Sequence, residues 1–193
     1  FIQDTYSNLL LKDNIKIILN EVSTALSCLD EKQVTMLIND ILHADKIVTC
    51  GAGRVGLTTR GFSMRLAHLG FNAYFIQDSN VPSIGPNDLL IVASGSGETQ
   101  TIFDITEIAH KSGVKISLIT GNPKSRMGRT ADTIVEIKVP VKTGKVRGIH
   151  SIQPMTTLNE QCLEVFFDGL VLSLMEIRGE TNKTMWERHS KLE

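Results

Sequence analysis

Ser94-Gly95-Ser96-Gly97-Glu98-Thr99 joins an apolar run, Leu89-Leu90-Ile91-Val92-Ala93, to a stretch with helical periodicity. A strand that ends in such a loop, with a helix opening directly after it, has the chemistry of a phosphate site. Glycine lets the backbone approach an anion and turn its N–H groups inward. The helix N-terminus adds free donors and partial positive charge. Ser94, Ser96 and Thr99 supply hydroxyl donors without bulk. Glu98 would repel a phosphate if it faced one, so its carboxylate is expected to point away and to orient Arg54 or a loop N–H. The bland alternative is a serine-glycine turn that binds nothing.

A second glycine loop lies upstream. Gly51-Ala52-Gly53-Arg54-Val55-Gly56 follows an apolar run and opens a helix, matching the dinucleotide fingerprint G-x-G-x-x-G. Asp78, past the end of the next strand, could then bind a ribose. Arg54 counts against that reading, because dinucleotide turns rely on backbone and helix dipole. So does the second loop, which places two anion-seeking turns at one crevice. The phosphate-binding pattern G-x-x-x-x-G-K-[ST] of nucleotide hydrolases is absent. An arginine beside two glycine loops suits a phosphate monoester, which it can grip bidentately, or a neighbouring carboxylate. The expected ligand is a small phosphorylated metabolite, a sugar by preference.

These loops need a frame. Five short apolar runs (Lys46–Cys50, Phe71–Ile76, Leu89–Ser94, Lys115–Thr120 and Thr133–Lys138) alternate with helical stretches at Arg54–Leu69, Thr99–Ser112 and Lys124–Thr130. Buried strands alternating with helices mean a parallel sheet covered on both faces, a three-layer α/β domain. Two helices precede it over residues 1–45. Leu9, Leu10, Ile15, Ile18, Leu19, Val22 and Leu26 mark the first, and Asp30 is the expected N-cap of the second, with Gln33 at the capping-box position. Residues 139–153 form a polar loop carrying Lys142, Lys145, Arg147 and His150. A long helix, Pro154 to Ile177, closes at Gly179. The 193 residues read as one domain, with 46–138 as its βα core.

Composition excludes several classes. Lys+Arg 20 against Asp+Glu 21 leaves no basic excess for a nucleic-acid backbone. No apolar run reaches the ~18 residues of a membrane span. Cys28, Cys50 and Cys162 are odd in number and lack zinc-ligand spacing, so they read as buried thiols of a reducing compartment, the cytoplasm.

The blocks GAGRVGLTTRGFSMRLAHLGFNAYFI, SGSGET and SIQPMTTLNEQCLEVFFDGLVLSLME, with the tail RHSKLE, resemble the 6-phospho-3-hexuloisomerase family of the sugar isomerase (SIS) class. The resemblance runs from about Lys46 to Glu193. It implies a flavodoxin-like SIS domain with a five-stranded parallel sheet, and a homotetramer. It also implies isomerisation of 3-hexulose 6-phosphate to fructose 6-phosphate, in formaldehyde assimilation or detoxification through the ribulose monophosphate pathway. Two positions depart from the family pattern: Thr156 stands where glycine is usual, and Asn159 where an aromatic residue is usual.

Moving a carbonyl between neighbouring carbons needs one base to take a proton from one and return it to the other, with no metal or nicotinamide. By the resemblance the base is Glu160. From the residues alone, Thr157-Leu158-Asn159-Glu160 is also a capping box, and Glu160, Glu164 and Asp168 recur as a solvated stripe would. His68, near the end of the helix after GAGR, is the second catalytic candidate, as a proton donor to a ring or carbonyl oxygen; a histidine suits a helix C-terminus in any case. His189 in the tail could reach a neighbouring subunit's site. Arabinose 5-phosphate isomerase is the alternative within the class, although that family commonly carries a regulatory region after the isomerase domain. A non-catalytic sugar-phosphate regulator is the alternative outside it, disfavoured because residues 1–45 show no basic recognition helix.

Overall fold

The computed structural model describes residues 11–142 and 149–192. In chain order the elements are α1 (Leu11–Leu26), α2 (Glu31–His43), β1 (Ile47–Cys50), α3 (Gly53–His68), β2 (Ala73–Phe75), β3 (Leu89–Ala93), α4 (Gln100–Lys111), β4 (Lys115–Thr120), α5 (Arg126–Thr130), β5 (Thr133–Glu136), α6 (Thr157–Arg178) and α7 (Asn182–Glu187). The strands pair in parallel in the order β2-β1-β3-β4-β5, with Ile47 opposite Ala73 on one side and Leu89 on the other. The order reverses between β1 and β3. Doubly wound sheets bind ligands at the carboxyl ends of strands flanking such a reversal, and both glycine loops sit there.

Strand side chains alternate between two cores. Ile47, Leu89, Ile91 and Ile119 meet residues such as Leu37, Leu66 and Leu170 from α2, α3 and α6. Val48, Leu90, Val92, Ile116 and Leu118 meet Ile102, Ala109 and Met127 from α4 and α5. Burial on both faces explains why the strands are continuous apolar runs rather than alternating ones. Phe62 of α3 stacks on Phe167 of α6 with ring centroids 4.1 Å apart and planes 2° apart. That contact fixes the helix carrying Arg54 against the helix carrying Glu160.

The differences from the sequence reading are local. Asp30 caps α2 by accepting from the Lys32 N–H at 2.9 Å. Gln33 does not close a capping box. Its Oε1 accepts instead from the Glu136 N–H at 2.9 Å and ties α2 to β5. The long helix begins at Thr157 rather than Pro154, after Met155 at φ 56, and ends at Gly179, whose φ of 65 a glycine adopts without strain. α7 was not expected; Thr181 and Thr184 close a capping box at its start. Leu9, Leu10, Lys145 and Arg147 lie outside the described residues.

No described helix is long and apolar enough to cross a membrane. Cys50 and Cys162 are buried, and burial pushes both thiols up to about 12, helped at Cys162 by the nearby negative charge of Glu21. Cys28 corrects the expectation of three buried thiols: it lies in the turn after α1 and is exposed. An aromatic disulfide reagent should therefore label one thiol per native chain quickly and the other two only in denaturant. Cys28→Ser should abolish the fast phase. Rapid labelling of more than one thiol in the native protein would contradict this packing.

Candidate active site

The loop after β3 is turned carbonyl-outward. Gly95 O accepts from the Gly121 N–H at 3.0 Å and from Thr120 Oγ1 at 3.2 Å, and Gly97 O from the Met127 N–H at 3.3 Å. Ser96 O accepts from Asn122 Nδ2 at 3.1 Å, and Glu98 O from Arg126 Nη2 at 2.9 Å. With successive carbonyls engaged by residues 120–127, the N–H groups of Gly95, Ser96 and Thr99 are left without a hydrogen bond among the described residues. Ser94 Oγ accepts from the Gly97 N–H at 3.1 Å and Ser96 Oγ from the Glu98 N–H at 3.3 Å, which leaves both hydroxyl protons to donate. Gly97, at φ 63, is obligatory, because a Cβ there would run into the Ser125 side chain.

Glu98 points away from the cavity, as expected, but its partner is Arg126 and not Arg54. Its carboxylate takes Arg126 Nε at 2.7 Å and the Arg126 backbone N–H at 2.9 Å. Those bonds hold the Glu98 carboxyl below its ordinary range. Arg126 also lies over the Phe103 ring at 4.4 Å, so the arginine braces the loop from behind.

A cavity of about 330 Å³ opens on this loop. Ser94, Gly95, Ser96 and Thr99 line it from the loop between β3 and α4, Gly53 and Arg54 from the start of α3, and Thr156, Asn159 and Glu160 from the N-cap and first turn of α6. Helices α3, α4 and α6 all direct their N-termini at it, and none has a side-chain cap. By contrast α2, α5 and α7 are capped by Asp30, Ser125 and Thr181. Each uncapped terminus presents unpaired N–H groups and the positive end of a dipole. Three of them at one cavity give it the chemistry to accept an anion.

The carboxylate opposite is Glu160. Arg54 Nη1 lies 2.9 Å from its Oε2, and Thr156 Oγ1 donates to its Oε1 at 3.1 Å. The Glu160 side chain is 14% exposed and the Arg54 side chain 61%, so the carboxylate is recessed and the arginine covers it from the solvent side. The capping-box alternative fails, because the Thr157 N–H bonds to Pro154 O at 3.2 Å instead of to Glu160.

Other sequence candidates lie elsewhere. His68 is buried at the far end of α3, roughly 20 Å along the axis from Gly53 and Arg54. Its ring packs 5.2 Å from that of His189, and Arg188 donates to its carbonyl at 3.0 Å, so the tail folds onto the end of α3. Asp78, the acid of the dinucleotide reading, pairs with Arg60 at 2.7 Å and does not line the cavity. In this turn Gly51 and Gly56 serve closeness of strand and helix, since a Cβ on Gly56 would lie 2.7 Å from Gly51 O. Lys142 was read only as a loop cation, yet it lines the cavity, and nothing in its spacing could have shown that.

Residues 40–165 match the SIS domain. The chain belongs to the SIS-domain family. A 3-hexulose-6-phosphate isomerase of Bacillus subtilis is 36% identical over 176 residues, covering 91% of this chain and 95% of the relative. One from Mycobacterium gastri is 35% identical over 184 residues, covering 95% and 92%. Among solved structures, a hypothetical protein of Methanococcus jannaschii, described as inferring a molecular function of 3-hexulose-6-phosphate isomerase, superposes with a TM-score of 0.82. It is 28% identical and covers 94% of this chain and 99% of its own.

In this SIS domain the approach to α6 is pinned by Glu21 of α1. Its carboxylate accepts from Ser151 Oγ at 2.6 Å, Gln153 Nε2 at 2.9 Å and the Ile152 N–H at 3.2 Å. Burial pushes the Glu21 carboxyl up, but these hydrogen bonds and the nearby His150 outweigh it and leave the group below its ordinary 4.5. A lowered carboxyl stabilises the fold above its unfolded pKa, and that contribution disappears as pH falls through the folded value. Glu21→Gln should cost about 1–3 kcal/mol at pH 7, or roughly 2–10 °C in Tm. The gap from the wild type should narrow as pH drops below 4.5. Melting curves from pH 7 to pH 3 test this; a gap that widens in acid would contradict it.

Proposed function

We propose that this protein is a sugar-phosphate isomerase that interconverts 3-hexulose 6-phosphate and fructose 6-phosphate through an enediol. The carrying observation is that three uncapped helix N-termini face one recessed carboxylate across a single cavity. The likeness to relatives named 3-hexulose-6-phosphate isomerase supports the choice of sugar.

The phosphate is held by the free N–H groups and hydroxyls of Ser94–Thr99, with Arg54 at its edge. Glu98 and Gly97 act indirectly, one by anchoring Arg126 and the other by permitting the turn. Glu160 removes the proton on C2 of the 3-ketose while O3 takes up a proton, giving the C2–C3 enediol. The same carboxyl then returns its proton to C3 as O2 gives up its own, so the carbonyl stands at C2 and the net transfer between oxygens is from O2 to O3. The Arg54 guanidinium offsets negative charge on the enediol oxygens. The reaction exchanges no electrons with a partner and uses no cofactor.

His68 lies too far along α3 to serve the cavity of its own chain. As a proton donor it would act in the site of a second copy, which links its role to a homo-oligomer, a tetramer by family resemblance. Leu172 and Val165 of α6 and Leu57 and Met64 of α3 remain exposed and supply apolar surface for such contacts. Cys28, Cys50 and Cys162 are free thiols, which supports a reducing compartment such as the cytoplasm. A monomer by light scattering at micromolar concentration would remove both the oligomer and the role of His68.

Glu160→Gln keeps the shape and the bond from Thr156 but loses the basic oxygen. Turnover should fall by about 10²–10⁴-fold while sugar phosphate still binds. The Tm should change little, because the lost ion pair is with a largely exposed arginine. Proton exchange from deuterated water into fructose 6-phosphate separates an isomerase from a binding protein. Wild-type activity in Glu160→Gln would place the base elsewhere.

A further inference from the structure

Asn159 is 5% exposed, yet its carboxamide makes no hydrogen bond among the described residues. An amide with no protein partner that opens only onto a cavity is left for water or a ligand to satisfy. Among the described residues the fully buried side-chain polar atoms without a partner are Asp88 Oδ1 and Gln161 Oε1, and neither residue lines this cavity. The Asn159 amide is different, because it lines the cavity. It also lies flat on the phosphate loop: a Cβ on Gly95 would sit 2.9 Å from Asn159 Nδ2 and 3.1 Å from Oδ1. The next residue in the chain is Glu160, whose carboxylate lines the same cavity. The amide therefore stands between the group that holds the phosphate and the group that holds the reacting carbons.

We infer that Asn159 is a specificity-determining substrate contact that binds a hydroxyl of the sugar chain between phosphate and reacting carbons. On the isomerase reading, which supplies the identity of the sugar, that is the hydroxyl on C4 or C5. A hydroxyl donates one hydrogen bond and accepts others, and a carboxamide offers one acceptor and two N–H donors. Once the cavity is filled by a sugar lacking that hydroxyl, the amide is cut off from water and left unpaired. A site built this way rejects the deoxygenated analogue more strongly than an apolar pocket could.

The test compares wild type, Asn159→Leu and Asn159→Ser on fructose 6-phosphate and on its 4-deoxy and 5-deoxy analogues. Titration calorimetry reads affinity, kcat and KM are measured for each sugar, and Tm is recorded for each variant. In the wild type one deoxy analogue should bind about tenfold to a hundredfold more weakly than the parent sugar. Asn159→Leu and Asn159→Ser should weaken the parent by a similar factor and change that analogue by less than about threefold, because the contact is already gone. KM should rise with most of kcat retained. The Tm of Asn159→Leu should stay level or rise, since an unpartnered amide is replaced by an apolar side chain.

A purely structural asparagine would instead give a lower Tm and equal losses on all three sugars. That outcome, or unchanged preference in both variants, overturns the inference. If wild type binds these sugars with the expected preference but turns none of them over, the isomerase reading falls and the contact stands. If wild type binds none of them, both fall.

Discussion

Leaving three helix N-termini unpaired at one place is a standing electrostatic cost, and the surrounding structure is arranged so that an anion can offset it. Helices α3, α4 and α6 belong to different parts of the chain and lie on both faces of the sheet. They converge because the strand order reverses between β1 and β3, which opens a crevice at the carboxyl ends of those strands. At α2, α5 and α7, which do not open on this cavity, a side chain closes the N-terminus. Where a helix points inward, the end is left open for a ligand.

Most side chains that make the site work do not touch the cavity. Arg126 and Glu98 grip each other behind the serine-glycine loop, and residues 120–127 take up its carbonyls. Glu21 does the same service for the approach to α6 by binding Ser151, Ile152 and Gln153. The Phe62–Phe167 stack sets the distance between the helices of Arg54 and Glu160. An anion-binding loop must be stiff to be selective, because backbone N–H groups that can relax toward one another would satisfy themselves. These braces supply that stiffness.

Much of the site was legible before any coordinates. Glycine and hydroxyl residues at the end of an apolar run have few other reasons to occur together, and the alternation of apolar runs with helical stretches allows essentially one class of sheet. The misread residues are those with two plausible local partners. Gln33 had a capping position beside it in sequence and found a strand N–H instead. Glu98 had Arg54 or a loop N–H as expected partners and found both the side chain and the backbone N–H of Arg126, which is distant in sequence and near in space. Cys28 was grouped with two buried thiols because composition cannot tell the face of a helix end.

By itself, then, the sequence determined the parallel α/β frame, the two glycine turns and the residue types of an anion site, because those follow from periodicity and backbone freedom over short spans. Only the tertiary structure decided that Glu160 faces Arg54 and the Thr156 hydroxyl rather than closing a capping box on the Thr157 N–H, and that Asn159 is buried beside Gly95 with its amide unpaired. It also decided that His68 lies at the wrong end of α3 for the cavity of its own chain. These are relations between side chains far apart in sequence or on different faces of one helix. They depend on how α3 and α6 pack over the sheet, and no local pattern encodes that.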